Sequence, residues 1–366
     1  MTTSLHTLKL YAIIDGLAAL FFVSGQAHAL PERVFGDIFN TADVNSVAFA
    51  PNSRLLADAR SYGVSSGTDT TEVLYPGPVR LWDAQTGRLW RELRHTGMVH
   101  SISFSPNGAL LASAVENGFG RSREDPEPQV KGAVTVWNTA TWQVAYTFNV
   151  PRAGVYRVAF APLGHLLAVG CDDAGLRVWN TQTRKLKHVF WGWNLEATST
   201  VAFSPDGRLL ALVAGKYVSE QVVRLYDVES GRMLKTWPRQ DEVAFSPDGK
   251  SLATSGFEKT PNDLAYRVNL WNVRTGRLQR ALSILPDSAV TALAFAPNGQ
   301  FLAANTTAQG GTLLLWNLRE QQSATRLRGL TVRGQITFSP DSKLLAGCGF
   351  ESSVVVWNLV SRSRSR

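Results

Sequence analysis

Six histidines are the residues from which this 366-residue chain could build a metal site or a general base, and their spacing argues against both. His6 and His28 fall in the first 29 residues, while His95, His100, His165 and His188 are scattered through the remainder. No HExxH run, no Gly-x-Ser-x-Gly elbow and no phosphate-cradling glycine loop occurs. Asp172 and Asp173 are adjacent carboxylates that suggest a cation, but such pairs in a short connection are ordinarily solvated turn residues. No catalytic residue, metal ligand or cofactor is expected, and the chain reads as a non-enzyme.

What remains is the chemistry of recognition. Tyr62 and Tyr75, then Phe119, Arg121 and Arg123, then Trp193, Tyr217, Phe257 and Tyr266 join large apolar area to a polar end or stand beside charge. Tyr, Trp and Arg are the favoured anchors of protein interfaces for that reason. These residues are the candidate partner-binding set, and Trp191 stands close to it.

The elements that must position them are repeats. Seven segments end in Phe49, Phe104, Phe160, Phe203, Phe245, Phe295 and Phe338, each followed by a Ser/Ala-Pro turn. Each is answered downstream by an aromatic that closes another apolar strand: Trp82, Trp137, Trp179, Tyr226, Trp271, Trp316 and Trp357. A period in the forties means units that bury their faces only against neighbours. In Val201-Ala202-Phe203 large residues alternate with a small one, so one sheet face is bulky and the other admits a neighbouring sheet. Ser-Pro-Asp-Gly suits a type I turn into a second strand. Thr-Gly at 86–87 and 275–276, or Ser-Gly at 230–231, turns the third strand into a fourth, expected at 89–93, 143–148, 186–190, 233–237 and 278–282.

On these residues the chain resembles the WD-repeat (WD40-type) β-propeller family over roughly residues 32–359. The Phe-Ser/Ala-Pro-Asp/Asn-Gly turns carry the likeness, with Val-Arg-Leu-Trp82-Asp83, Val-Thr-Val-Trp137-Asn138, Leu-Arg-Val-Trp179-Asn180 and Leu-Leu-Leu-Trp316-Asn317. Tyr226 replaces tryptophan in repeat 4, and Pro51-Asn52-Ser53, Pro162-Leu163-Gly164 and Pro340-Asp341-Ser342 depart from the turn pattern. The resemblance implies an all-β, seven-bladed propeller of four-stranded antiparallel blades. Family members often join a His, a Ser/Thr, an Asp and the Trp by hydrogen bonds. Here repeat 2 offers His95, Ser113 and Trp137, and repeat 3 offers Asp173 and Trp179 with Val169 in place of the hydroxyl. Both His95 and Asp173 therefore read as structural.

Residues 32–39 precede repeat 1 where a fourth strand would fall, so they are expected to complete blade 7 and close the ring. Second-to-third connections are long at 58–78, 113–132, 212–221 and 254–266, and all enlarge one face of the disc. That face holds the candidate anchors. Residues 1–29 resemble a secretory signal, with an apolar run from Leu10 to Val23 and Ala27-His28-Ala29 as a small-x-small cleavage site. Export to a periplasm or beyond the cell is expected, with a cytoplasmic location if that leader is not a signal. The propeller then occupies 30–360, and 361–366 is a basic Ser/Arg tail carrying three of the charges in a net +8. Cys171 and Cys348 lie in repeats too far apart around the ring for a disulfide, and buried free thiols are expected.

The expected function is a monomeric, non-catalytic platform for a protein or peptide, with no small-molecule substrate and no nucleic acid. Two alternatives differ in class. One is an exported propeller of the Tol-associated type, which shares the Ser-Pro-Asp-Gly turns. The other is a propeller hydrolase or lyase with an axial site, which converging perturbed acids or histidines would mark.

Overall fold

The computed structural model describes residues 33–35, 42–65, 72–117, 131–150, 152–163, 165–173, 175–191, 200–214, 221–259, 264–286, 288–308, 311–320, 324–327, 332–349 and 353–359. Their strands form seven four-stranded antiparallel sheets. Each is a blade of a propeller. The first strands, Ala42–Phe49, Met98–Phe104, Val155–Phe160, Val201–Phe203, Gln240–Phe245, Val290–Phe295 and Val332–Phe338, ring the axis, and blade 7 returns to touch blade 1. The fourth strands include Leu89–Leu93, Gln143–Val150, Lys185–Trp191, Met233–Pro238 and Leu278–Ser283, where the turn glycines and apolar spacing predict them.

Blade 7 takes its outer strand from the start of the chain. Arg33–Phe35 pairs antiparallel with Val354–Asn358, Phe35 lying opposite Val354. This is the expected closure, seen over three residues of the 32–39 segment. The strand also reaches the next blade: Phe35 is 1% exposed and stacks on Trp82 at 5.9 Å between ring centroids, while Arg33 Nη1 donates to the Ala84 carbonyl at 3.3 Å.

That contact recurs around the ring and explains the repeated aromatic. A buried fourth-strand residue packs on the third-strand aromatic of the following blade: Phe148 on Trp179, Phe190 on Tyr226 and Trp237 on Trp271. Leu93, Leu282 and Leu327 share cores with Trp137, Trp316 and Trp357. All the buried clusters lie between neighbouring blades, so no blade has a core of its own.

The turns refine the sequence reading at two places. Ser53 and Ser342 take φ of 57° and 61°, the left-handed conformation that Gly207 and Gly249 adopt at 68° and 69°. Their N–H groups donate to Ala50 and Ser339 as Gly207 does to Ser204, so these departures in sequence are not departures in turn geometry. Trp142 and Arg184 likewise hold the left-handed position of the third-to-fourth turn at 56° and 57°. Asn138 Oδ1 accepts from the N–H of Ala140 and Thr141 and stabilises that turn, which is the local work of the Asp/Asn after each Trp.

Over their described residues, two of the long connections are paired strands. Leu55–Ser65 and Glu72–Asp83 stay paired as far as Ser65 and Glu72, and Ser251–Lys259 and Leu264–Asn272 as far as Lys259 and Leu264. Valine, tyrosine and phenylalanine on facing strands favour extending the ladder over opening it.

Candidate interaction surface at the mouth of the axial channel

In an antiparallel meander the first-to-second and third-to-fourth turns lie on one side, called the turn face, and the other connections lie on the loop face. Each first strand starts at the loop face. In five blades the ladder with the second strand slips by one residue there: between Val44 and Ser46, Val99 and Ser101, Val155 and Arg157, Gln240 and Glu242, and Val290 and Ala292. Blade 4 shows no such slip over its described residues, and blade 7 slips between Val332 and Ile336. In the five, the extra residues are Asn45, His100, Tyr156, Asp241 and Thr291. A bulge bends its strand and re-aims a side chain, so in these five blades a polar or aromatic group stands at the loop-face end of the first strand, with Asn45 and Thr291 lining the axial channel.

Second strands hold these groups. Ser61 Oγ donates to Asn45 Oδ1 at 3.4 Å, Ser255 Oγ to Asp241 Oδ1 at 2.5 Å, and Asn305 Nδ2 to Thr291 Oγ1 at 2.9 Å. His100 Nε2 meets Glu116 Oε2 at 3.0 Å, and the His100 ring lies 4.4 Å from that of Tyr156. Burial, with Glu116 and Asp172 nearby, pushes the Tyr156 hydroxyl above its ordinary range. Lys131 Nζ pairs with Asp172 Oδ2 at 2.6 Å, and the Gly154 N–H donates to Asp172 Oδ1 at 2.9 Å. Asp172 is therefore a pinned network member and not the free turn acid its sequence suggests.

Below the rim, all seven first-strand segments line a channel of about 900 Å³. Among the described residues Arg157 and Glu242 are the ionisable groups of its wall. Burial pushes Glu242 up to about 8 against a hydrogen bond from Thr200 Oγ1 at 2.6 Å, and Asp241 beside it up to about 6. Two perturbed acids thus meet here, as an axial enzyme site would require. Yet among the described residues no histidine lines the channel, and burial favours the protonated form of Glu242 beside the Thr200 hydroxyl. Among the described residues no group of three or more His, Cys, Asp or Glu could hold a metal ion.

The nearest approach to a nucleophile and base is structural. His95 Nε2 lies 2.8 Å from Ser113 Oγ, which also accepts from Trp137 Nε1 at 3.3 Å. Ser113 is fully buried and burial holds His95 down to about 4, so no substrate reaches the pair. Asp173 binds Arg177 through both carboxylate oxygens and does not serve Trp179. Two counterparts escaped the sequence pattern. In blade 1 the fully buried Asp58 accepts from Trp82 Nε1 at 2.5 Å and from Arg60 Nε at 2.7 Å. In blade 5 Trp271 Nε1 donates to Thr254 Oγ1 at 2.8 Å, and Gln240 takes the histidine's part by accepting from Thr254. The indole N–H groups of Trp179 and Trp357 are buried without an acceptor. Cys171 and Cys348 are free and buried, and burial raises both thiols to about 12.

Of the candidate anchors, Phe119, Arg121, Arg123, Trp193 and Tyr217 lie outside the described residues. Tyr62 and Tyr75 stand opposite one another in the blade 1 hairpin, as do Phe257 and Tyr266 in blade 5. Tyr266 is partly buried, and burial with nearby Asp241 raises its hydroxyl. Trp191 is 62% exposed. The bulge ring was not legible in the sequence, because a slip exists only relative to the partner strand. On the turn face, Pro51, Asn52, Trp90, Asn107 and Trp142 border a groove of about 450 Å³ between blades 1 and 2.

Comparison with known proteins agrees with this architecture. The family model for the WD domain, G-beta repeat, matches residues 87–120, 142–180 and 330–358, and that for eukaryotic translation initiation factor eIF2A matches 194–312. Periodic tryptophan protein 2 of Arabidopsis thaliana is 27% identical over 68% of this chain and 24% of its own length. Nuclear distribution protein PAC1 of Coccidioides posadasii is 26% identical over 77% of this chain and 59% of its own. The chain thus spans about a quarter of the former and three fifths of the latter. A chain in the crystal structure of a mitotic checkpoint complex shares the fold, with a TM-score of 0.67 at 18% identity over 94% of this chain and 98% of that one. Seven four-stranded blades, the repeat-model matches and these relatives support the WD-repeat β-propeller family for this chain.

Proposed function

We propose that this propeller is a non-catalytic, monomeric platform that binds a protein or peptide on its loop face. The observation that carries this is the ring of bulge residues Asn45, His100, Tyr156, Asp241 and Thr291, which gathers donors, acceptors and aromatic area from five blades around one opening. The lengthened second-to-third segments of blades 1 and 5 extend on this face, with Tyr62 opposite Tyr75 and Phe257 opposite Tyr266. The anchors expected from the sequence at Phe119, Arg121, Arg123, Trp193 and Tyr217 lie outside the described residues. A relative named for nuclear distribution and a structural neighbour from a mitotic checkpoint complex are consistent with such a role.

Capture from extracts of the source organism tests it. Alanine at Phe119, Arg121 and Arg123 together, or at His100 and Asp241 together, is expected to weaken capture at least about tenfold, equivalent to losing one anchor. Trp90→Ala on the turn face is the control. If Trp90→Ala abolishes capture and the loop-face variants do not, the groove beside Trp142 is the docking site and the loop-face assignment fails. We further propose that residues 1–29 direct export, on the strength of the apolar run and the Ala27-His28-Ala29 site.

A further inference from the structure

Arg157 is the anomaly of the axial channel. It projects from the first strand of blade 3 into a wall otherwise built largely of small and apolar residues such as Ala48, Val158, Ala292 and Ile336. Among the described residues its guanidinium makes no hydrogen bond and no ion pair, though part of its surface stays open to the channel. Glu242, 4% exposed on blade 5, shares the channel, yet the two close no ion pair. A half-desolvated guanidinium with unused donors is costly to keep. Its planar fork matches the two oxygens of a carboxylate, and the Thr291 hydroxyl, which accepts from Asn305 Nδ2, keeps its proton to donate.

We propose that the axial channel binds a carboxylate group, anchored on the Arg157 guanidinium and flanked by Thr200 and Glu242. Glu242 helps because burial keeps it protonated, with Asp241 and Arg157 the charged groups nearest it, so it donates to the ligand and does not repel it. The carboxylate has two sources: a free short dicarboxylate, or an acidic side chain of a peptide seated on the rim. Only the second rests on the platform function proposed above.

Calorimetric titration of the full chain distinguishes them, using glutarate, a short acidic peptide with one central Glu, and the same peptide with Gln. Glutarate is expected to bind wild type, to weaken at least about tenfold with Arg157→Gln or Arg157→Lys, and to be unchanged by Arg152→Gln, an exposed loop-face control. Circular dichroism melts report whether each variant is folded, and the Lys variant keeps the charge while losing the fork. Binding of the Glu peptide alone, lost on changing Arg157, supports the peptide source; binding of glutarate alone supports the free ligand and counts against peptide docking at this mouth. No binding of either carboxylate, or binding indifferent to Arg157, overturns the proposal. Peptide binding indifferent to Arg157 does so while leaving the platform function standing.

Discussion

Replacing Phe35 by alanine tests whether three residues at the start of the chain close the ring. Phe35 is 1% exposed, stacks on Trp82 and meets the Gly87 backbone closely enough that a Cβ there would fall 2.9 Å from its ring. Truncating a buried phenylalanine removes its transfer free energy and leaves a cavity, together about 3–5 kcal/mol. Because the contact joins blade 7 to blade 1, the loss falls on the closure itself, and a drop in Tm of roughly 5–10 °C is expected. The ring supplies its own calibration. Leu93, Leu282 and Leu327 occupy the matching position in other blades, so Phe35→Leu should cost only about 1 kcal/mol. Phe148→Ala, at the equivalent contact with Trp179, should resemble Phe35→Ala. Leu89→Ala, on a side chain 46% exposed, should stay within about 0.5 kcal/mol of wild type. Thermal and urea unfolding measure all four. If Phe35→Ala behaves like Leu89→Ala, the first strand does not close the ring and the inter-blade argument fails at that seam.

Three other expectations concern separate parts of the molecule. Val169→Thr places a hydroxyl where Ser113 and Thr254 serve their tryptophans, giving the orphaned Trp179 indole an acceptor; a gain of about 1 kcal/mol in urea unfolding is expected, and a loss would show that the site cannot take the hydroxyl. Glu242, about 8 when folded against an ordinary 4.5, binds more protons in the folded state, so its contribution to stability falls as pH rises from about 4.5 and levels off above about 8. Glu242→Gln should therefore gain on wild type by on the order of 2–4 kcal/mol between pH 5 and pH 9, and a pH-independent difference would mean the carboxyl titrates normally. Processing of the leader near Ala29 is checked by N-terminal sequencing of protein from its own cell, where an intact Met1 in the cytosol refutes export.

Much of the fold was legible in the sequence because its signals are local. Alternation in Val201-Ala202-Phe203, a Pro-Asp-Gly turn and an aromatic two strands later each act within one blade, and their recurrence alone specifies seven sheets that must stack. Even the closing strand followed from repeat order. What only the tertiary structure decided depends on residues that meet across blades or by register. Asp58 and Gln240 stand in for a hydroxyl and a histidine, which spacing cannot reveal because an acceptor is defined by the indole or hydroxyl it faces. The blade 1 and blade 5 insertions became extended hairpins because facing strands of β-favouring residues continue their ladders. The bulge ring and the Arg157–Glu242 channel have no sequence signature at all, since a one-residue slip is a relation between two strands, and a central channel is assembled from seven segments that lie far apart in the chain.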